Sequence, residues 1–204
     1  MSDDHLIRTD AELQALFGPV GDASLRKEVD HLHPVYRRWI EASPFAVVAT
    51  VGPTGLAVSP RGDPAPLVRV VDAHTLLLPE RRGNNRIDGL RNLLRDPRIS
   101  LLFMVPGVGE SLRVTGRAEV SVAPDLLASF AVDGALPKCV VRVAVDSVMF
   151  QCGRAMLRSG LWQAASAPAD VPSAGAMLAA LTNREVGGDD YDRALPQRQR
   201  DTLY

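Results

Sequence analysis

SLRVTGRAEVSV, residues 111–122, alternates between two chemical classes along its whole length. Leu112, Val114, Gly116, Ala118, Val120 and Val122 fall on one side, and Ser111, Arg113, Thr115, Arg117, Glu119 and Ser121 on the other. A period of two with one apolar face is the pattern of an antiparallel strand. Comparable segments stand on both sides of it. FAVVATV (45–51) and LAVSP (56–60) flank GPTG, a hairpin turn. PLVRVVD (66–72) and HTLLLP (74–79) pair around Ala73, and Arg61-Gly62-Asp63-Pro64 reads as a loop. ISLLFMV (99–105) is a buried run, and CVVRVAVDSVMF (139–150) is a last long strand. Six or seven strands at hairpin spacing, with short helices between them, predict a mainly β, α+β chain. The expected architecture is a closed antiparallel β-barrel with flanking helices.

Three segments follow. Residues 1–44 form an N-terminal helical segment expected to pack on the barrel. Thr9 or Asp10 can cap a helix through Leu13, Leu16 and Phe17 that Gly18-Pro19 ends. Val29, Leu32, Val35 or Tyr36, and Trp39-Ile40 suggest a second helix over 24–42, interrupted by Pro34. Residues 45–163 are the barrel, with a helix over 85–95 whose Ile87, Leu90 and Leu94 share one apolar face, a short one beginning near Pro124, and a helical turn expected to pack Met156, Leu157 and Trp162 on the barrel. Residues 164–204 are a linker, a helix over 174–181 and, from Val186, a polar tail expected to be loose.

A chain of 204 residues is long enough for one domain with a sizeable core. Its net charge of −1 gives no bulk attraction to nucleic acid or an anionic membrane surface. The polar start and the lack of a long apolar run predict a cytoplasmic protein with no membrane partner. Cys139 and Cys152 read as small buried residues, not a disulfide framework.

The chemistry-bearing stretch is PERRGNNRIDGLRNLLRDPRISLLF, residues 79–103. A strand that stops at Pro79, an arginine-bearing polar turn and a helix start together suit a phosphate. The helix offers backbone N–H groups and Arg81, Arg82 and Arg86 offer guanidinium groups, with Asn84 and Asn85 as further donors. A solvated turn with an asparagine cap explains the same residues equally well. At Ser59-Pro60-Arg61-Gly62-Asp63 a strand end can meet the edge of a planar heterocycle, though a simple β-turn also fits. The loop 106–110, PGVGE, lacks the lysine and helix of a nucleotide-binding P-loop. Arg154 and Arg158 share a helical face near Trp162. His5, His31, His33 and His74 have no zinc spacing, and no nucleophile elbow or Cys–His pairing stands out. No catalytic residue is assigned, which suits an enzyme whose chemistry resides in a bound cofactor.

Taken in order, FAVVAT–GPTG–LAVSPRGDP, LVRVVD–HTLLLPERRGNNRIDGLRNLLRDPRISLLF, VPGVGESLRVTGRAEVS and FQCGRAMLRSGLW resemble the pyridoxamine 5′-phosphate oxidase-like flavoproteins. More narrowly they resemble a bacterial branch of FMN-dependent enzymes of unknown substrate. The resemblance runs from about Ser43 to Trp162. It implies an FMN-binding split β-barrel and a homodimer with FMN at the subunit interface. Arg81 or Arg82, Asn84, Asn85 and Arg86 would lie near the FMN phosphate. Val58, Ser59, Pro60 and Arg61 would lie along the isoalloxazine edge. Ser111 stands where the oxidases carry a flavin-contacting glutamine, and Arg158 and Trp162 would complete the site. The substrate segment of the vitamin B6 oxidases is replaced by APDLLASFAVDGALPK (123–138), with neither Tyr nor Arg. The expectation is an FMN-dependent oxidoreductase for another small molecule. A non-catalytic flavin or heme module, a deazaflavin F420-dependent reductase and a ligand-free structural dimer are the alternatives.

Overall fold

The computed structural model describes residues 5–163 and 170–204. Three helices lead in: α1 (Asp10–Phe17), α2 (Asp22–Arg26) and α3 (Pro34–Glu41). β1 (Phe45–Gly52), β2 (Gly55–Gly62), β3 (Arg69–Asp72) and β4 (Thr75–Glu80) follow. Then come α4 (Asp88–Leu93), β5 (Arg98–Met104), β6 (Ser111–Ser121), α5 (Pro124–Ala128) and β7 (Cys139–Gln151). α6 (Arg154–Ser159), α7 (Ala174–Leu181) and α8 (Asp189–Asp201) end the chain.

The seven strands make one antiparallel sheet in the order β2-β1-β5-β6-β7-β4-β3. Alternation predicts its register well. Leu112, Val114 and Ala118 of β6 are buried together with Leu101 and Phe103 of β5 and Val143 and Val148 of β7. These side chains, with Leu76, Leu78 and Ile40, form one core. The sheet curls around it with the right-handed twist of antiparallel strands, but it does not close. The expected closed ladder is replaced by a gap, because β2 and β4 have no backbone pairing to each other and side chains bridge them. Arg61 Nε donates to Glu80 Oε1 at 2.7 Å, and Arg81 Nε donates to Asp63 Oδ2 at 2.8 Å.

The strands flanking this gap run further than the sequence suggests. β2 continues through Arg61 and Gly62, which pair with Ala46 and Phe45 instead of forming a loop. β4 passes through Pro79 to Glu80, paired on one side with β7. β3 accompanies β4 only as far as Leu77, so Pro79 lies where one edge is free, a place where a strand tolerates proline.

α4 closes the end of the core. Its buried side is Leu93 with Asn92, whose Nδ2 donates to Thr50 Oγ1 at 3.0 Å. Leu90 is half-buried, while Ile87 and Leu94, expected on the same apolar face, are exposed. The cause is a later start: Ile87 is left-handed (φ 46°) and the helix begins only at Asp88, which shifts the buried face.

The lead-in departs from a helix over 24–42. Pro34 occupies the first turn of α3, as its ring favours. Residues 27–33 form no helix, and Val29 exchanges backbone hydrogen bonds of 3.0 and 2.8 Å with Val148 beyond the end of β4. Thr9 caps α1 in a capping box with Glu12, yet Leu13, Leu16 and Phe17 are exposed. The tail expected to be loose contains α8, and Tyr204 beyond it returns to Asp63. Leu157 of α6 is exposed, against the expectation that it packs on the barrel. Cys139 is buried as expected but Cys152 is exposed. Part of the linker expected over 164–173 lies outside the described residues.

β6 and β7 shift register at Thr115/Gly116. A Cβ on Gly116 would collide with the carbonyl of Ala144 and crowd Val143. Gly116→Ala is therefore expected to cost about 1–3 kcal/mol by overpacking, read as a lower denaturation midpoint with an unchanged slope. An unchanged midpoint would show that the bulge has room to spare.

Candidate cofactor site

Beside the gap lies a cleft of about 270 Å3. Pro60, Arg61 and Gly62 form one wall, Pro79 and Glu80 another, and the loop from Arg81 to Asn85 the rim, with Ile87, Leu90 and Lys138 completing it. Local chain geometry sets each position. Lys138 arrives because its N–H donates to the Glu80 carbonyl at 2.9 Å, which starts β7 alongside β4. Asn85 and Ile87 are both left-handed (φ 59° and 46°), so residues 82–87 make a polar loop that postpones the helix.

That loop alters the expected phosphate grip. α4 has only six residues, and Asp88 fills its first turn. Arg86 Nε donates to the Asp88 carboxylate at 3.0 Å, and Arg91 lies 3.8 Å from it. The partial positive charge of the helix start is therefore met from within the chain. Two other arginines are also engaged. Arg61 is held by Glu80 and also donates to the Pro60 carbonyl at 2.8 Å. Arg81 is held by Asp63, and its second nitrogen donates to the Phe130 carbonyl at 2.8 Å. Arg82 and Lys138 differ: among the described residues neither side chain forms an ion pair. They are the cleft's uncommitted positive charges.

The predicted site residues fall into separate places. Pro60, Arg61, Arg81, Arg82, Asn84 and Asn85 come together in the cleft. Ser59 lines a small adjoining cavity under α4, with Val48, Leu78 and Leu90. Arg86 lies outside the cleft lining. Val58 points away from the core and is exposed. Ser111 is buried and pairs with Gln151 at the far end of β7 from Glu80, which pairs with Cys139. Trp162 is near that far end, its Nε1 donating to the Val108 carbonyl at 2.8 Å, and Arg158 is on the neighbouring α6.

Glu80, Lys138 and Tyr204 were not among the residues singled out from sequence, and Asp63 was read only as the end of the Ser59–Asp63 turn. Lys138 had one signal, being one of two lysines in an arginine-rich chain. Tyr204 had none, because the contact spans the whole molecule. Its hydroxyl donates to Asp63 Oδ1 at 2.9 Å, and the Arg81 guanidinium lies 5.4 Å from its ring centre. Burial raises the Cys139 thiol pKa, and the Glu80 charge adds to the rise. At the other end of β7, a hydrogen bond from the Arg154 backbone lowers that of the exposed Cys152.

A family model described as pyridoxamine 5′-phosphate oxidase matches residues 32–152, more than half of the chain. The chain belongs to the pyridoxamine 5′-phosphate oxidase family. The match covers the sheet, the cleft and the loop carrying Arg82, and stops before Arg158 and Trp162. No curated protein matches this family member. Among solved structures, it is similar to HupZ of Group A Streptococcus at 21% identity, over 53% of this chain and 86% of that one, with a TM-score of 0.41. General Stress Protein 26 of Bacillus anthracis is similar at 13% identity, over 56% and 88% of the two chains, with a TM-score of 0.43. An FAD-binding protein of Mesorhizobium loti is similar at 17% identity, over 59% and 94%, with a TM-score of 0.40.

The hydrogen bond to Asp63 raises the Tyr204 pKa first, and desolvation and the charge of Asp63 add to it. A phenol whose folded-state pKa is raised contributes stability below the unfolded value, about 10. That contribution is lost as pH rises through the folded value. The ultraviolet titration of the native protein minus that of Tyr204→Phe is expected to show one phenol ionising above pH 10. Ionisation at or below the ordinary value would mean that Tyr204 is not docked on Asp63.

Proposed function

We propose that this chain binds FMN with its phosphate in the cleft, and that a homodimer completes an FMN-dependent oxidoreductase site for a small molecule other than pyridoxamine phosphate. The observation that carries this reading is the uncommitted pair Arg82 and Lys138 beside the amides of Asn84 and Asn85. Two cations without carboxylate partners and two neutral donors suit a phosphomonoester. Each charged hydrogen bond to it is worth roughly 1.5–3 kcal/mol. The arginines bound to Glu80, Asp63 and Asp88 would shape the cleft around that anion.

The cleft is small for a whole cofactor. Its volume, about 270 Å3, falls below the roughly 300–1,000 Å3 of complete small-ligand sites. The outer face of the sheet supports a second chain as the missing wall. Cross-strand partners share a face, so the register places Leu56, Val58 and Pro60 of β2 with Val51, Ala49 and Val47 of β1. Leu102 and Met104 of β5 and Met149 of β7 continue the same face. A solvated sheet face would alternate to polar residues, whereas this one is largely apolar. Arg113 lies on it between Leu102 and Met149, with its Nε buried and without a partner among the described residues. Ser111 lies on it too, opposite Met104. A second copy on this face would cover the apolar patch and bring its own Ser111, Arg158 and Trp162 toward the cleft.

Bound FMN supplies the hydride and electron transfer. The chain's own residues bind and orient: Arg82 and Lys138 hold the phosphate, Pro60 and Gly62 border the ring, and the partner face excludes water. The substitution of residues 123–138 supports a different substrate, since that segment folds into α5 and the turn leading to Lys138.

The purified protein is expected to retain a flavin spectrum after FMN is added and the excess removed. Arg82→Ala and Lys138→Ala should each weaken FMN binding about tenfold or more, with riboflavin affinity nearly unchanged. Equal losses for FMN and riboflavin would remove the phosphate assignment. Leu102→Glu, in the middle of the apolar face, is expected to give a monomer in light scattering and to lose the flavin. A monomeric native protein that retains FMN would sink the shared site.

A further inference from the structure

One apolar surface belongs neither to the cleft nor to the sheet. α1 is a formed helix with a capped start, yet no residue of α1 or α2 is buried. Leu13, Leu16 and Phe17 are spaced at i, i+3 and i+4, so they share one face of α1. Val20 and Leu25 continue the exposed apolar series toward and into α2. Single apolar residues on a surface need no explanation, but a run of them in one arm marks a contact. A lipid surface does not suit it, because α1 carries Asp10 and Glu12 and no cation. The arm is rooted in one place. Glu28 lies 3.8 Å from Arg113, Lys27 Nζ lies 4.7 Å from the centre of the Phe150 ring, and Val29 is hydrogen-bonded to Val148. That root is the far end of β6 and β7, at the border of the apolar outer face.

We infer that residues 5–26 form an exchanged arm: α1 lies on the β2 edge of a second copy of this chain, with Leu13, Leu16 and Phe17 against Leu56 and Val58. This rests on the reading of the outer face as a dimer surface. β2 is an edge of the sheet, and native proteins keep such edges covered. Phe17 and Leu56 are each 77% exposed, so both sides of the contact have apolar surface to withdraw from water. The register joins the two sides. Ser111 pairs with Gln151 and Leu112 with Phe150. A dimer that brings one chain's Ser111 to its partner's cleft therefore brings the root of the arm as well. On that partner Pro60 lines the cleft, and Val58 and Leu56 are the next residues of β2 on the same face. The arm then has only to run back along β2. Its own β2 is four strands from β7 in the sheet, roughly 20 Å at strand spacing, whereas the partner's lies beside the root.

The test uses the full chain carrying Cys152→Ala, which leaves the buried Cys139 as the remaining native thiol. Phe17→Cys and Leu56→Cys are introduced together, and a short bismaleimide is added. The expected product on a denaturing gel has the mass of two chains, and neither single-cysteine chain gives it. A product of one-chain mass with both thiols consumed would place the arm on its own sheet and overturn the inference, as would the absence of any cross-link. A second measurement needs no thiol. Leu16→Glu with Phe17→Glu, both at exposed positions, is expected to raise the dimer dissociation constant about tenfold or more in sedimentation, with circular dichroism unchanged. An unchanged constant would overturn the inference and leave the outer-face dimer standing. A native protein that sediments as a monomer would overturn the dimer reading and the inference together.

Discussion

The structure depends on an unmade ladder. β2 and β4 approach each other across the core, but their facing backbones are joined by side chains. The bridge between Arg61 and Glu80 is largely withdrawn from solvent, with side chains 24% and 12% exposed, and that between Arg81 and Asp63 more so, at 16% and 9%. Ion pairs in such positions add little net stability over well-packed apolar residues. Their consequence here is spacing. A backbone ladder would draw the strands to about 4.8 Å and seal the barrel, whereas a guanidinium and a carboxylate hold them a side chain apart. That separation leaves room for the cleft, and α4 fills the end of the core that the missing ladder leaves uncovered.

The same pairs sort the arginines. A cation that shapes a gap is not free to bind an anion, so the arginines most deeply placed at the cleft are structural, and the exposed Arg82 and the late-arriving Lys138 carry its charge. Position along the chain does not predict this division. Arg81 and Arg82 are neighbours with opposite fates because Pro79 and Glu80 fix the end of β4. Arg81 is turned toward Asp63 at the end of β2, and Arg82 is left on the rim.

Strands were legible because a period of two survives any tertiary context that buries one face. β6 follows it from Leu112 to Ala118 and β7 from Val141 to Val145, with a change of phase before Val148 where the two strands shift register. The helix after the arginine loop was legible in kind but not in phase. Left-handed Asn85 and Ile87 delay it, and no local propensity marks an isoleucine as left-handed. The failure of closure was invisible for a different reason. Alternation records which face of a strand is buried, not whether its outer edge finds a partner. The ion-pair partners Glu80 and Asp63 looked like strand-end and turn residues because their roles arise only from partners 19 and 18 positions away. Tyr204, 141 positions from Asp63, lies beyond any pattern argument.

The register of β7 bears on assembly. Glu80 sits opposite Cys139 at one end of that strand and Ser111 opposite Gln151 at the other. Thirteen residues at about 3.3 Å each make this a span of roughly 40 Å before curvature. Cleft residues and the Ser111–Trp162 group are therefore held apart by the strand that connects them. If both groups serve one ligand, as the family resemblance implies, they must come from different chains. A two-fold axis through the apolar outer face would pair each chain's cleft with its partner's far end and generate two equivalent sites. In the proposed homodimer the apolar face and the undersized cleft would have a common cause: each would be a surface that a second copy covers.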